Sequence, residues 1–272
     1  MENSILIILA YYDRPRILQN SLYSIILADH HYKNWELAVI DDGSTIPCKP
    51  IVESILKKYS DKITYYHTGP KTKEGSKLGE YENIIMEKSN ADICFSVCDD
   101  DALHPYYLKN LNEYFNKNPD VNSCYSNLIL YNPSVEPFLN HLDMSIWRPD
   151  FQWNGWNRHK NPMNGCFILD GSQMAWRMQV TKEKKCWFEP LAFRAQDASF
   201  LLSLYNNCGL THYTGFVSQF KGVFPGALSS LWGWNDLNSD SKRFQWIIEN
   251  SHVLDQSSVQ SSQFKKHFVK LY

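Results

Sequence analysis

Apolar positions in the first hundred residues fall into short unbroken runs, separated by segments in which they recur every three or four residues. Ser4 to Leu9 is an apolar, β-rich run and reads as a first strand. The turn Ala10-Tyr11-Tyr12-Asp13-Arg14-Pro15 leads into a helix whose buried face is marked by Leu18, Leu22 and Ile25. Glu36 to Ile40 is a second strand, ending in Asp41-Asp42-Gly43-Ser44-Thr45. Pro50 opens a second helix with Val52, Ile55, Leu56 and Tyr59 on one face, and Ile63 to Tyr66 forms a third strand. A polar, basic loop runs from His67 to Ser76, a helix from about Gly79 to Lys88, and a fourth strand from Asp92 to Val97. Strands alternating with helical segments predict βαβ units and an α/β fold: a central, mostly parallel sheet flanked by helices.

The fourth apolar run stops at Cys98 and is followed by Asp99-Asp100-Asp101-Ala102-Leu103-His104-Pro105. Pro105 suits the first position of a helix, and Leu108, Leu111 and Phe115 follow at helical spacing. The three acids therefore sit at the carboxyl end of a strand, where open α/β sheets bind their ligands. Adjacent carboxylates repel one another and need water or a cation. A hard divalent ion takes one or two carboxylates and completes its shell with substrate phosphates. Read alone, the triplet suits an acidic, solvated turn that caps the next helix equally well. The turn from Ala10 to Pro15 contains no glycine, which argues against a dinucleotide fingerprint, and no Gly-x-x-x-x-Gly-Lys-Ser/Thr loop is present.

Composition narrows the classes further. The chain of 272 residues has room for one large domain with a small appendage. A net charge of −2 gives no reason to expect nucleic acid as a partner. The longest apolar run, Ile5 to Ala10, is far too short to span a bilayer, and Met1-Glu2-Asn3 does not start a signal peptide. The seven cysteines are odd in number, irregularly spaced and without a Cys-x-x-Cys pair. They read as reduced thiols of a cytoplasmic protein and not as a zinc site. Nine Trp, most of them after residue 146, can pack a core or offer faces to sugar rings. Residues 132–163 form a long polar-aromatic segment with Trp147, Trp153, Trp156 and His159, and are expected to act as an acceptor-side flap. Near the end, Phe264, Phe268 and Leu271 with Lys265, Lys266, His267 and Lys270 predict a basic amphipathic helix. It would pack on the domain or on a second copy in a homodimer; membrane contact is expected, if anywhere, only through this tail.

Three stretches carry a resemblance: Tyr11-Tyr12-Asp13-Arg14-Pro15, Val39-Ile40-Asp41-Asp42-Gly43-Ser44-Thr45, and Cys98-Asp99-Asp100-Asp101-Ala102-Leu103-His104-Pro105. In that order they resemble the landmarks of GT-A glycosyltransferases of family 2, the third being the family's DxD region. Asn164-Gly165-Cys166-Phe167-Ile168-Leu169-Asp170 and Phe193-Arg194-Ala195-Gln196-Asp197-Ala198-Ser199-Phe200 resemble its acceptor-side strand and catalytic-base segment. Within the family the pattern is similar to the spore-coat polysaccharide transferase type, over roughly residues 4–230. The resemblance implies a GT-A (Rossmann-like) domain over residues 1–235, divided into a nucleotide-binding half (1–105) and an acceptor-binding half (106–235), with a C-terminal helical extension over 236–272. It also implies an inverting transfer from a UDP- or dTDP-sugar to a glycan hydroxyl, dependent on Mn²⁺ or Mg²⁺.

The same resemblance assigns roles. Asp42, with Asp41 as second choice, would accept the N3–H of a uracil or thymine ring lying against Tyr12. Asp99 and Asp100 would reach the ribose and the metal, and Asp101 the metal or a helix amide. Asp100 is the expected direct ligand, within a metal set of Asp100 and Asp101. Lys71, Lys73 and Lys77 could neutralise phosphate, Lys77 being the first choice. Asp197 is the expected base, at the start of a helix read from Ala198 to Leu204, where the helix dipole favours the ionised form; Glu189 is second choice. One departure stands out. Where relatives carry Tyr-Arg-x-His, this chain has Phe220-Lys221-Gly222-Val223, so Lys221 takes the Arg place and the His is missing. A sugar nucleotidyltransferase and a non-catalytic nucleotide- or glycan-binding module are the competing readings. The glycine-free first turn counts against the former.

Overall fold

The computed structural model describes residues 2–70, 77–131, 146–147, 170–188, 196–209 and 211–222. Four parallel strands form its first half: β1 (Ile5–Tyr11), β2 (Trp35–Asp41), β3 (Ile63–His67) and β4 (Ile93–Cys98), in the order β3-β2-β1-β4. Helices α1 (Pro15–Asp29), α2 (Lys49–Ile55) and α3 (Leu78–Lys88) connect them, as the periodicity predicts. The second helix is shorter than its apolar spacing implies. After Ile55 the chain tightens into a 3₁₀ turn over Lys57–Lys62, where Tyr59 is non-helical.

The second half is built differently. It contains β5 (Ala102–Leu103), α4 (Tyr107–Lys117), β6 (Ser123–Tyr131), β7 (Ile146–Trp147), β8 (Met174–Arg177), α5 (Met178–Glu183), α6 (Gln196–Cys208) and β9 (His212–Gly222). The described sheet runs β3-β2-β1-β4-β8-β6-β9-β5, with β7 on the edge of β6. β8 is antiparallel to both β4 and β6, and β9 is parallel to β6. The sheet is therefore parallel on one side and mixed on the other. Pro105 does not open a helix. Residues 102–103 pair with β9, and His104 N–H donates to Ser218 O at 2.8 Å, so the backbone stays out of helix until Tyr107.

Alternation along the strands gives the sheet two packed faces. On one, Ile5, Ile7, Leu9, Leu37, Val39, Phe95 and Val97 pack under Leu18, Leu22 and Ile25 of α1 and Leu108, Leu111 and Phe115 of α4. On the other, Leu6, Ile8, Ala38, Ile40 and Cys94 meet Ile85 and Met86 of α3, Trp176 of β8 and Phe200 and Leu204 of α6. The Phe200 ring stacks on Phe188 at 4.1 Å and meets Trp176 edge-on at 4.6 Å, which fastens α6 to the sheet. Six cysteines lie among the described residues, and all are free thiols. Among the same residues no helix is long and apolar enough to cross a membrane. Lys71, Lys73, Glu189, the side chains of the 132–163 segment and the whole tail from 223 onward lie outside the described residues.

Leu22 has no exposed surface, whereas Tyr23 beside it is 50% exposed. Leu22→Ala should lower the free energy of unfolding by about 2–5 kcal/mol. Tyr23→Ala should change it by about 0.5 kcal/mol or less. Urea titration of the two variants against the parent measures both.

Candidate active site

β4 delivers the acidic triplet to the top of the sheet, and there the three carboxylates are buried. Asp99 and Asp101 have no exposed surface, and Asp100 is 6% exposed. The solvated-turn alternative is thereby excluded. Asp99 N–H continues the ladder to Ala10 O at 2.9 Å. Beneath the turn, the hydroxyl of Ser21 on α1 lies 2.9 Å from Asp99 O and also contacts Asp101 O. Two cations balance the charge. Arg14, just ahead of α1, places one guanidinium nitrogen 2.5 Å from Asp99 and the other 2.5 Å from Asp100. Lys221 of β9 lies 3.2 Å from Asp101. Backbone donors complete the set: Tyr12 N–H to Asp99 at 2.9 Å and Gly222 N–H to Asp101 at 3.1 Å. Burial pushes the Asp99 and Asp101 carboxyls up in pKa, while Arg14 and Lys221 pull them down. Gly222 is required sterically. A Cβ there would sit 2.2 Å from Asp100 O.

The end of β2 separates the two neighbouring aspartates by role. The Asp41 carboxylate accepts Ser44 N–H at 2.9 Å and Cys48 N–H at 3.1 Å, so it closes the turn around Gly43, whose φ is 73°. Asp42 is also buried, with Thr68 Oγ1 at 3.3 Å, and its N–H bonds Tyr11 O. Asp13, in the left-handed region at φ 48°, ties the first turn to this one. Its carboxylate accepts from Thr45 N–H, Thr45 Oγ1 and Ile46 N–H at 2.8–2.9 Å. The exposed Tyr12 ring therefore stands on a rigid double turn next to Asp42.

On the other side of the triplet, Lys221 also lies 3.2 Å from Asp170. Asp170 opens a 3₁₀ turn over Gly171–Gln173 with a reciprocal cap: it accepts Ser172 N–H, and its own N–H bonds Gln173 Oε1. Burial alone would raise the Asp170 pKa; Lys221 and the Ser172 donors hold it below the usual value. The next residue, Gly171, donates its N–H to Asp197 at 2.9 Å, and a Cβ on Gly171 would also stand 2.9 Å from Asp197 Oδ1. Asp197 lies in the first turn of α6. The residue is open to solvent, but its carboxylate faces the protein. Loss of surrounding water, then the negative charge of Asp170, raises its pKa to about 6.

The structure thus brings Tyr12, Asp42, Asp99, Asp100, Asp101 and Asp197 to one end of the sheet. Lys77 is exposed just ahead of α3. Among the described residues, the cations that reach the acids are Arg14 and Lys221. Glu82 of α3 is a further member that the sequence reading missed. It is 5% exposed, accepts Ser96 Oγ at 3.1 Å and has its pKa raised to about 8, first by burial and then by Asp197. The signal was there: Gly79, Glu82, Ile85 and Met86 share the inward face of α3.

For a metal, ligand atoms of Cys98, Asp100 and Asp101 lie within 4.8 Å of one another. Burial keeps the Cys98 thiol protonated, and both oxygens of Asp101 already face Lys221 and Gly222. Asp100 is the carboxylate of the triplet that reaches solvent. A hard divalent ion held by this one carboxylate, with its remaining oxygens from a diphosphate, fits the donor set.

Comparison with known proteins identifies the family and the fold. The sequence model of the family described as Glycosyl transferase family 2 matches residues 6–183. Protein CgeD of Bacillus subtilis (strain 168) is 26% identical over 129 residues, which span 46% of this chain and 29% of that protein, under a third of its length. Among solved structures, S. aureus TarS 1–349 in complex with UDP superposes with a TM-score of 0.66 at 15% identity, covering 98% of this chain and 70% of that one. Mannosyltransferase PcManGT from Pyrobaculum calidifontis, in complex with GDP-Man and Mn²⁺, superposes at 0.62 with 16% identity, covering 92% and 65%. Glucosyl-3-phosphoglycerate synthase from Mycobacterium tuberculosis, with Mn²⁺ and UDP, superposes at 0.55 with 14% identity, covering 93% and 80%. These likenesses show a shared GT-A fold.

Two outcomes follow from the geometry. Gly222→Ala should destabilise the protein by about 1–3 kcal/mol through the clash with Asp100 O, read by urea unfolding. Glu82 has a folded pKa near 8 against an ordinary 4.5, so its contribution to stability is full below 4.5 and is lost as pH rises toward 8. Unfolding of Glu82→Gln measured across that range should show a shallower fall with pH than the parent.

Proposed function

The chain belongs to glycosyl transferase family 2, and from that membership we propose an inverting glycosyltransferase that moves a sugar from a UDP- or dTDP-sugar to a glycan hydroxyl. One observation carries the reading. Asp101, Lys221 and Asp170 form a continuous ionic bridge, with 3.2 Å at each link, and Gly171 then holds Asp197 at 2.9 Å. The acidic turn and the base are thereby parts of one rigid unit. The bound UDP, GDP-Man and Mn²⁺ of the fold neighbours support a nucleotide-sugar donor and a divalent ion.

In this reading Asp42 accepts the N3–H of the pyrimidine, which lies on Tyr12. Asp99, held from within by Tyr12 N–H and Arg14, would set the turn beside the ribose, and Asp100 would hold Mn²⁺ or Mg²⁺, which would neutralise charge on the diphosphate. Arg14 and Lys221 add fixed positive charge where the leaving group gains negative charge. The acceptor O–H gives its proton to the Asp197 carboxylate, and its oxygen forms a bond to C1 of the sugar. The C1–O bond to the diphosphate breaks on the opposite side, with the electron pair leaving on the nucleoside diphosphate, so the configuration at C1 inverts. Residues up to Leu103 carry the donor side, and the later strands with α6 carry the acceptor side.

Asp197→Asn should lower turnover at least about 100-fold while leaving nucleotide affinity within about twofold. Normal turnover by that variant would remove Asp197 as the base. Because the Asp197 pKa is near 6, kcat should rise with pH and level off above about 7. Thermal unfolding with UDP, dTDP, GDP and ATP, each with and without Mn²⁺, tests the donor. A metal-dependent rise with a pyrimidine diphosphate supports it, and no response to any pyrimidine diphosphate overturns it.

A further inference from the structure

Glu82 has no part in the reaction just described, yet its surroundings are those of a binding group. Along β4, Phe95 and Val97 face α1 and α4, so Cys94, Ser96 and Cys98 face the α3 side. Pairing sets Ile8 beside Ser96, and Ala10 beside both Cys98 and Ile40. Glu82 meets the sheet at Ser96, one row below the level where Cys98 ends the strand, roughly 7 Å deeper. It is close enough to feel the charges of both Asp197 and Asp42. In the proposed reaction Asp42 marks the nucleobase end of the donor and Asp197 the acceptor end. The ribose, the diphosphate and the sugar lie in turn between them, the sugar being nearest Asp197, whose charge is the stronger of the two at Glu82.

The carboxyl also has bonding capacity left over. Among the described residues its one hydrogen-bond partner is the Ser96 hydroxyl, although a carboxyl group has room for several. The residue as a whole is buried, at 5% exposure. A second group with spare capacity adjoins it at Ser96. Gln219 donates to Ser96 O at 3.1 Å and Ser172 O at 2.7 Å, and its Oε1 is buried without a hydrogen-bond partner. Two underused polar groups meet at Ser96, one row beneath the acidic end of the sheet, where a ligand that brings hydroxyls would satisfy them. Burial, then Asp197, holds the Glu82 pKa at about 8, so near pH 7 it is a neutral acid with an O–H to donate and no charge to repel the diphosphate.

We propose that Glu82 hydrogen-bonds a hydroxyl of the transferred sugar and so determines which donor sugar the chain accepts. This rests on the nucleotide-sugar reading above.

The test is calorimetric binding in Mn²⁺, using the full chain and the variants Glu82→Met and Glu82→Gln. Met fills nearly the same volume without a hydrogen-bonding end, and Gln keeps one. The ligands are UDP, UDP-glucose, UDP-galactose and UDP-N-acetylglucosamine. Glu82→Met should bind UDP within about twofold of the parent, while its affinity for the preferred UDP-sugar falls about tenfold and its preference among sugars narrows. Glu82→Gln should recover most of that preference. Unchanged ranking and affinities in Glu82→Met overturn the proposal. So does an equal loss for UDP and every UDP-sugar, which would mark Glu82 as a strut between α3 and β4. If Glu82→Met fails to fold, Glu82→Ala replaces it with the same expectations. If the parent binds neither UDP nor any UDP-sugar, it is the donor reading that fails, and this proposal falls with it.

Discussion

Three consecutive aspartates can be buried in one turn only if their charge is met locally, and that requirement shapes the rest of the molecule. Arg14 comes from the loop after β1 and Lys221 from the last described strand, 120 residues beyond Asp101. Removing either would strand a carboxylate in low dielectric, which costs far more than an exposed ion pair is worth. The turn thus fixes the ends of α1 and β9 as much as they fix the turn. Ser21 and Gly222 serve the same end, one by hydrogen bonding under the turn and the other by having no side chain in its way.

The charge balance extends to Asp197, the proposed base. Lys221 is shared between Asp101 and Asp170, and Asp170 caps the short turn whose glycine holds Asp197. Behind Asp197, the packing of Phe200 against Phe188 and Trp176 keeps α6 from shifting along the sheet. Asn83 of α3 exchanges two 2.8 Å hydrogen bonds with Phe188, so the same cluster also sets the helix that carries Glu82. Side chains held this way by their neighbours keep the geometry that a reaction at one carbon needs.

The parallel half of the fold was legible in the sequence because β1, β2 and β4 are buried almost throughout and read as apolar runs, while the half-exposed β3 is rich in β-branched and aromatic residues. β9 was not. It spans eleven residues but reads His-Tyr-Thr-Gly-Phe-Val-Ser-Gln-Phe-Lys-Gly, and its buried Ser218 and Gln219 are polar because they bond across the sheet. β8 has four residues, too few to establish any period. The acids of the site were legible as strand ends and turns. Their partners were not, since Arg14–Asp100 and Lys221–Asp101 join residues that no local spacing relates. The bridging lysine stands alone in its strand, with no basic neighbour to mark it. That Asp41 closes its own turn by accepting from Ser44 N–H and Cys48 N–H shows only in three dimensions.

The shared lysine also limits how such proteins can be recombined. A chimera that keeps residues 2–103 of this chain and borrows the remainder from another family member inherits an Asp101 that expects a cation at 221 and a bare backbone at 222. Donors of the second half that carry a different pair there would import either an uncompensated charge or a collision with Asp100 O. Grafting a second half is therefore a matter of moving β9 and the Asp170 turn together with the first half's acidic loop, as a single cassette drawn from one parent.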